Sequence, residues 1–240
     1  MTGEPLELQV VLPVFNEAES LPVLWGELAT VLDAHWTRVE VIFVDDASTD
    51  GSGAWLRALA EKDPRVRYVR LARHAGITAA LDAGYRRVTS PIFVTLDSDL
   101  QSNPADIPRL VAALEGADAA MGSRIRRDDT LVRRWSSRIA NTVRNALTHE
   151  HVRDSACTLR AFRRECRTAL LPYNGLHRFV PTLLHMAGYR VVEVPVVHRA
   201  RRFGDSKFGI RGRAGRGFHD LLVIRWMQRR ALRYRIDRDA

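Results

Sequence analysis

Cysteine is nearly absent from this 240-residue chain: Cys157 and Cys166 are the only two. No disulfide framework is therefore suggested, no cysteine spacing of the metal-binding type is present, and a reducing compartment fits. Long apolar runs are also missing. Spanning a bilayer takes roughly 18–20 apolar residues. The longest candidate near the C-terminus, Leu221-Leu222-Val223-Ile224, is soon interrupted by Arg225. The opening Met1-Thr2-Gly3-Glu4-Pro5 lacks the basic and apolar regions of a signal peptide. A cytoplasmic location is the expectation. Neither a Gly-x-Gly-x-x-Gly fingerprint nor a Walker-type loop occurs, so dinucleotide binding and P-loop chemistry are disfavoured. Internal repeats and low-complexity stretches are absent as well.

What is present is ordinary for a soluble globular protein: 46% apolar and 27% charged residues. The length allows one large domain, or one domain with a small extension. The net charge of +9 is unevenly placed. Residues 199–240 carry 13 Lys and Arg against 4 Asp and Glu, while the preceding chain carries 24 of each. All of the net charge thus lies in the last segment. That suits an anionic partner such as nucleic acid, a phosphorylated ligand or a membrane surface, or else a solvated basic tail.

Strand and helix signals alternate through the first 125 residues. Apolar, β-branched runs predict strands at 8–12, 39–44, 66–71, 91–96 and 118–121. Helices are predicted from a cap at Asn16 to about Leu32, over 54–61 and over 76–87. Short connections between them imply a doubly wound, mostly parallel α/β sheet. Beyond Gly122 the pattern loosens. Helices are expected at 135–147 and 177–186 and strands at 157–162 and 189–197, with Pro195 making the last an edge or bulged strand. Residues 204–217 read as a glycine- and arginine-rich loop, and 218–234 as a basic amphipathic helix. The domain division expected is 1–210 and 211–240.

The chemistry concentrates at Asp97-Ser98-Asp99-Leu100-Gln101. Two carboxylates one residue apart follow a predicted strand, and open α/β sheets bind ligands at that edge. Alternate side chains point the same way, so Asp97, Asp99 and Gln101 can converge on one hard cation. Mg²⁺ or Mn²⁺ bridging a diphosphate is the natural occupant. An Asp-x-Asp pair alone is more often two solvated loop carboxylates. Here the first strand also ends in Pro13-Val14-Phe15-Asn16-Glu17 and the second in Val44-Asp45-Asp46. Polar groups at one edge of three strands make a crevice that can accept hydrogen bonds from a nucleobase or ribose. Without a glycine-rich cradle, phosphates need a metal and basic side chains, and the cluster near 201–207 supplies the latter.

Six ordered motifs extend this picture: Leu-Pro-Val-Phe-Asn-Glu (12–17), Val-Asp-Asp-Ala-Ser-Thr-Asp (44–50), Leu-Asp-Ser-Asp-Leu-Gln (96–101), Gly-Ser-Arg (122–124), Asp-Ser-Ala-Cys-Thr-Leu-Arg-Ala-Phe-Arg-Arg (154–164) and Arg-Arg-Phe-Gly-Asp-Ser-Lys (201–207). Through them the chain resembles the family 2 glycosyltransferases over about residues 8–210. More narrowly it is similar to their polyprenyl-phosphate branch, the dolichyl-phosphate mannosyltransferase-like enzymes. The resemblance implies the A-type glycosyltransferase fold. It implies a metal-dependent, inverting transfer of a hexose from a GDP- or UDP-sugar to undecaprenyl or dolichyl phosphate. Pro13, Phe15, Glu17, Val44, Asp45, Asp46 and Ser98 would form the nucleotide pocket. Asp97, Asp99 and Gln101 would hold Mg²⁺ or Mn²⁺. Arg124 would contact phosphate or acceptor, and Arg201 and Lys207 would close over the diphosphate. Asp154, Arg160, His177 and Arg178 are acceptor-side candidates; a structural ion pair and a structural histidine are the plain alternatives.

Ser98, Ala47 and His74 stand where that family often has alanine, glycine and asparagine. Relatives often carry C-terminal transmembrane helices, which the sequence pattern here does not show. The basic segment, with Phe218, Leu221, Leu222, Ile224, Trp226 and Met227, is then expected to reach the lipid from the cytoplasmic face, as a peripheral protein. A docked helix is the plainer reading. A membrane-protein partner or a homo-oligomer is compatible, and nucleic acid is not expected because base-stacking aromatics are sparse in the tail. The alternative enzyme reading is a family 2 transferase with a saccharide or protein hydroxyl acceptor, which needs a positioned base.

Overall fold

The computed structural model describes residues 6–124, 145, 148, 154, 157–200, 202–203 and 211–231. Seven strands form one sheet: β1 (Leu8–Val14), β2 (Val39–Asp45), β3 (Val66–Arg70), β4 (Ile92–Thr95), β5 (Ala119–Arg124), β6 (Arg160–Arg163) and β7 (Val191–Val196). Their order is β3-β2-β1-β4-β6-β5-β7. Pairing is parallel from β3 through β4 and between β5 and β7, while β6 runs antiparallel to both of its neighbours. The chain therefore winds outward from β1 to β3, then crosses back to place β4 on the other side of β1. The gap above β1 and β4 is the point where strand order reverses, which is where such sheets leave a ligand crevice.

Helices cover both faces, as near-continuous apolar strands require. α1 (Leu21–His35) packs with Leu21, Leu24, Leu28 and Leu32, spaced three or four residues apart, on one face. α2 (Ser52–Lys62) lies beside β3, and α4 (Ile107–Ala112) adds Ile107 and Leu110 to that same cluster. On the other face α3 (Ile77–Tyr85) and α5 (Val180–Met186) cover Val11, Val44, Phe93 and Phe162. Gly84 is required here: a Cβ would meet Val11 at 2.3 Å, so α3 can lie flush on β1 only with glycine.

Three local expectations are corrected. The first helix starts at Leu21, not near Asn16, because the Asn16 amide is spent across the sheet edge on Thr49. The last helix, α6, spans Arg211–Arg230, so residues 211–217 are helical rather than loop; 204–210 lie outside the described residues, as does most of 135–147. Nor does α6 present a single apolar face. Leu221 and Ile224 are buried, joined by part-buried Met227, against Leu176, Phe179 and Leu183, whereas Leu222 and Trp226 are exposed. β7 is an edge strand, as Pro195 requires. No helix of the described residues is long and apolar enough to cross a membrane.

Candidate functional site

The loops after β1 and β2 are cross-linked into one rim. The Asn16 N–H donates to the Ser48 hydroxyl at 2.9 Å, and the Asn16 side chain accepts from the Thr49 N–H at 2.8 Å. The Glu17 N–H donates to Ser52 at 2.9 Å and the Ala18 N–H to Asp50 at 3.0 Å. Asn16, Ala47 and Leu100 have φ of 54°, 59° and 62°, the only positive values of non-glycine residues among those described. They follow β1, β2 and β4 at one edge of the sheet. Such backbone costs on the order of 1 kcal/mol per residue and gathers where a surrounding network holds it.

The nucleotide-pocket candidates divide. Phe15 stacks on His74, ring centroids 4.1 Å apart, and His74 Nδ1 lies 2.9 Å from Asp46. Buried Asp46 also accepts from the N–H groups of Ala75 and Gly76 at 2.7 and 2.8 Å, which ties the loop before α3 to the end of β2. Glu17 accepts from the Ser20 hydroxyl at 3.0 Å. Asp45 is fully buried and holds Ser48 N–H, Tyr68 and Arg70. Val44 points into the core beneath α3. Ser98 is buried and donates to the Pro13 carbonyl at 2.9 Å, which joins the ends of β1 and β4.

Asp97 and Asp99 are half-buried at that junction. The Thr158 hydroxyl donates to Asp97 Oδ2 at 2.6 Å, and the Gln101 N–H to Asp99 Oδ1 at 3.1 Å. Pro13, Leu81, Asp97, Thr158, Arg160 and His177 line one small cavity of about 10 Å³. That holds at most one water, so a sugar must bind above it or widen it.

His177 faces this cavity. Its Nδ1 lies 2.7 Å from the Thr78 hydroxyl, which accepts from the Gly175 N–H at 3.3 Å. The hydroxyl can donate to Nδ1 or accept from it while accepting from Gly175, so either neutral tautomer satisfies the contact. Burial, helped by Arg178 and Arg160, lowers the His177 pKa from 6.5 to about 4, so the ring is neutral near pH 7.

Of the basic candidates, Arg124 is committed. Its guanidinium makes two bonds to buried Asp154, at 2.6 and 2.9 Å. Asp154 is thus in an ion pair, but with Arg124 and not with Arg160, the arginine considered beside it in the sequence. Buried Arg160 donates to the carbonyls of Cys157 and His177 at 2.8 and 3.1 Å, tying the approach to β6 to the His177 turn. Arg178 lies 3.5 Å from Asp220 on α6. Arg201 and Lys207 lie outside the described residues.

Among the described residues no group of three or more His, Cys, Asp or Glu side chains is placed to hold a cation unaided. The donor set offered is two half-buried carboxylates, oxygen only, at the crevice mouth. This fits a hard cation whose remaining ligands come from a diphosphate and water. Thr158 and Thr78 were not foreseen from sequence; their only signal was a hydroxyl beside apolar neighbours.

Residues 9–169 match the family model described as glycosyl transferase family 2. The undecaprenyl-phosphate 4-deoxy-4-formamido-L-arabinose transferase of Salmonella typhimurium is 38% identical over 204 residues, covering 84% of this chain and 62% of the relative. The protein of the same name from Yersinia enterocolitica is 37% identical over 206 residues, covering 85% and 63%. The chain thus spans less than two thirds of these relatives' length. Among solved structures, glucosyl-3-phosphoglycerate synthase from Mycobacterium tuberculosis, in complex with Mn²⁺, UDP and phosphoglyceric acid, superposes with TM-score 0.69 at 22% identity, covering 93% of this chain and 78% of that one. A mannosyltransferase from Pyrobaculum calidifontis, in complex with GDP-mannose and Mn²⁺, gives TM-score 0.60 at 24% identity, covering 95% and 63%. These likenesses show the fold, that of the A-type glycosyltransferases.

Proposed function

The chain belongs to glycosyl transferase family 2, and from that membership we propose that it moves a sugar from a nucleoside-diphosphate sugar to a polyprenyl phosphate. One observation carries the reading: Asp97 and Asp99 stand at the β1/β4 reversal, and the cavity lined by Asp97 is also lined by Arg160 and His177. Donor-side carboxylates and acceptor-side nitrogen donors thus share one crevice. The curated relatives, named as undecaprenyl-phosphate transferases, support the lipid acceptor.

Charge explains the mechanism. A phosphate acceptor is already anionic near neutral pH and needs no strong base. Its oxygen forms a bond to the sugar C1 as the C1–O bond to the diphosphate breaks, and the electron pair leaves with the diphosphate. In-line attack inverts the anomeric centre. Asp97 and Asp99, with Gln101, would hold a divalent cation, which would supply positive charge to the departing diphosphate. Phe15, Glu17 and Asp46 form the base and ribose side. Arg201 and Lys207 are assigned to closing over the diphosphate. In the tautomer protonated at Nε2, neutral His177 offers that N–H, and Arg178 its charge, to the acceptor phosphate. Arg124, bound by Asp154, and Arg160 hold the wall behind them.

Dolichyl-phosphate mannosyltransferase-like enzymes suggest a hexose, whereas the curated relatives are named for an arabinose derivative, so the test spans both. GDP- and UDP-hexoses and a UDP-arabinose derivative are offered with Mg²⁺ or Mn²⁺ and undecaprenyl or dolichyl phosphate. Lipid-linked sugar, identified by mass, is the expected product. Transfer to a saccharide or protein hydroxyl with none to the lipid phosphate overturns the reading.

A further inference from the structure

Five large apolar or aromatic side chains are markedly exposed among the described residues: Tyr173, Val197, Leu222, Val223 and Trp226. Three are on α6. A fourth, Tyr173, is two residues from Gly175, against which Asp220 of α6 packs so closely that a Cβ would meet its carboxylate at 2.4 Å. At 100° per residue, Arg229, Leu222, Trp226, Arg230 and Val223 fall in that order across one side of α6. Leu221, Ile224 and Gln228 fall on the other, where the first two are buried and Gln228 donates to the Thr148 carbonyl at 2.9 Å. The outer side therefore carries Leu222, Trp226 and Val223, with Trp226 62% exposed, bordered by Arg229 and interrupted by Arg230, whose guanidinium sits 6.0 Å from the Trp226 ring centre.

We propose that this outer face of α6 is a seat on an anionic lipid bilayer. The segment from 199 onward carries the whole net charge of +9, which complements such a surface. Nucleic acid would engage the arginines but leave Leu222 and Val223 wet, and a single tryptophan is a poor stacking platform. A bilayer satisfies both halves: headgroups for Arg229 and Arg230, the acyl boundary for Leu222, Val223 and Trp226. The inner side fixes direction. Asp220 meets Gly175 and Arg178, the residues flanking the His177 turn, and His177 lines the crevice. The seat is thus braced against the acceptor side. Only this orientation rests on the transfer proposed above; the seat stands on the exposed face alone.

The experiment is co-sedimentation of the whole chain with phosphatidylglycerol–phosphatidylcholine vesicles and with phosphatidylcholine vesicles, at low and high salt. Binding to the anionic vesicles, weakened by salt, is expected, with little binding to the neutral ones. Losing each arginine should weaken it about fivefold. Arg229→Glu/Arg230→Glu and Leu222→Ser/Trp226→Ser should each release the protein while melting as the parent does, and Val197→Ser should bind unchanged. Wild-type binding by both double variants overturns the seat. So does a dimer in sedimentation equilibrium that Trp226→Ser converts to monomer, since a second copy would then be the occupant. Vesicle binding without any sugar transfer would sink the transfer reading and leave the seat standing.

Discussion

Asp97 and Asp99 sit one residue apart but are held differently, Asp97 by a hydroxyl from a distant loop and Asp99 by its own turn. Neither packs a core, so Asp97→Asn and Asp99→Asn should keep the parent's melting curve. Each should lose about 10²-fold or more in transfer rate, the scale of a removed electrostatic stabiliser; wild-type turnover in both would remove them from the metal site. His177 gives a different signature. Its folded pKa of about 4 lies below the ordinary 6.5. Between those values the unfolded chain binds a proton that the folded chain does not, so stability falls as pH falls from 6.5 towards 4. The loss is on the order of 2–3 kcal/mol. Urea melts of the parent and of His177→Gln across that window check it: the variant's stability should change less with pH. The strand-end aspartates were legible because a carboxylate pair after an apolar run is a local pattern. Thr158, Thr78 and the Phe15–His74 stack were not, because each partner arrives from tens of residues away.

Elements were read well where periodicity decides. All seven strands fall within about three residues of their expected ends, since apolar runs between turn residues have few alternatives. The misplaced starts of α1 and α6 have physical causes. Asn16 has the chemistry of a cap, but Thr49 claims it across the sheet edge. Glycines at 212, 215 and 217 read as loop, yet that stretch is helical, so context overrides a weak propensity. The reversed direction of β6 leaves no local mark at all. The closeness of α3 to β1 provides a test at this scale. Gly84→Ala puts a methyl into Val11 and should cost about 1–3 kcal/mol by overpacking. Gly26→Ala, whose new Cβ meets nothing within 4 Å, should not destabilise. Denaturant midpoints for the two variants separate a packing glycine from an idle one.

For the whole molecule, the proposed metal site makes metal and nucleotide interdependent. Among the described residues no cluster of three or more His, Cys, Asp or Glu is placed to hold a cation. On that proposal the diphosphate completes a coordination that Asp97, Asp99 and Gln101 begin, and a diphosphate alone meets negative charge. The melting temperature should therefore rise with GDP or UDP plus Mn²⁺, and far less with either alone. At a hundredfold excess over the dissociation constant the stabilisation is about 2.7 kcal/mol. A nucleotide that stabilises equally in EDTA would place the diphosphate elsewhere. The α/β winding and the acidic edge were readable because both repeat along the chain. The partition of α6 into a packed and an open side was not, because it depends on where Leu176, Phe179 and Leu183 gather.

The antiparallel β6 has one more outcome. β5 ends, and β6 begins, at the same edge of the sheet as Asp97, so Arg124 and Arg160 stand on the crevice side of the sheet. Both positions are set by strand pairing. The strand ends that carry Phe15, Asp46, Asp97 and Asp99 all come from residues 8–101, yet Thr158, from just ahead of β6, reaches back to Asp97. The entry into β6 is thereby wired to that carboxylate, so an exchange of residues just before Arg160 is felt at Asp97 instead of staying local.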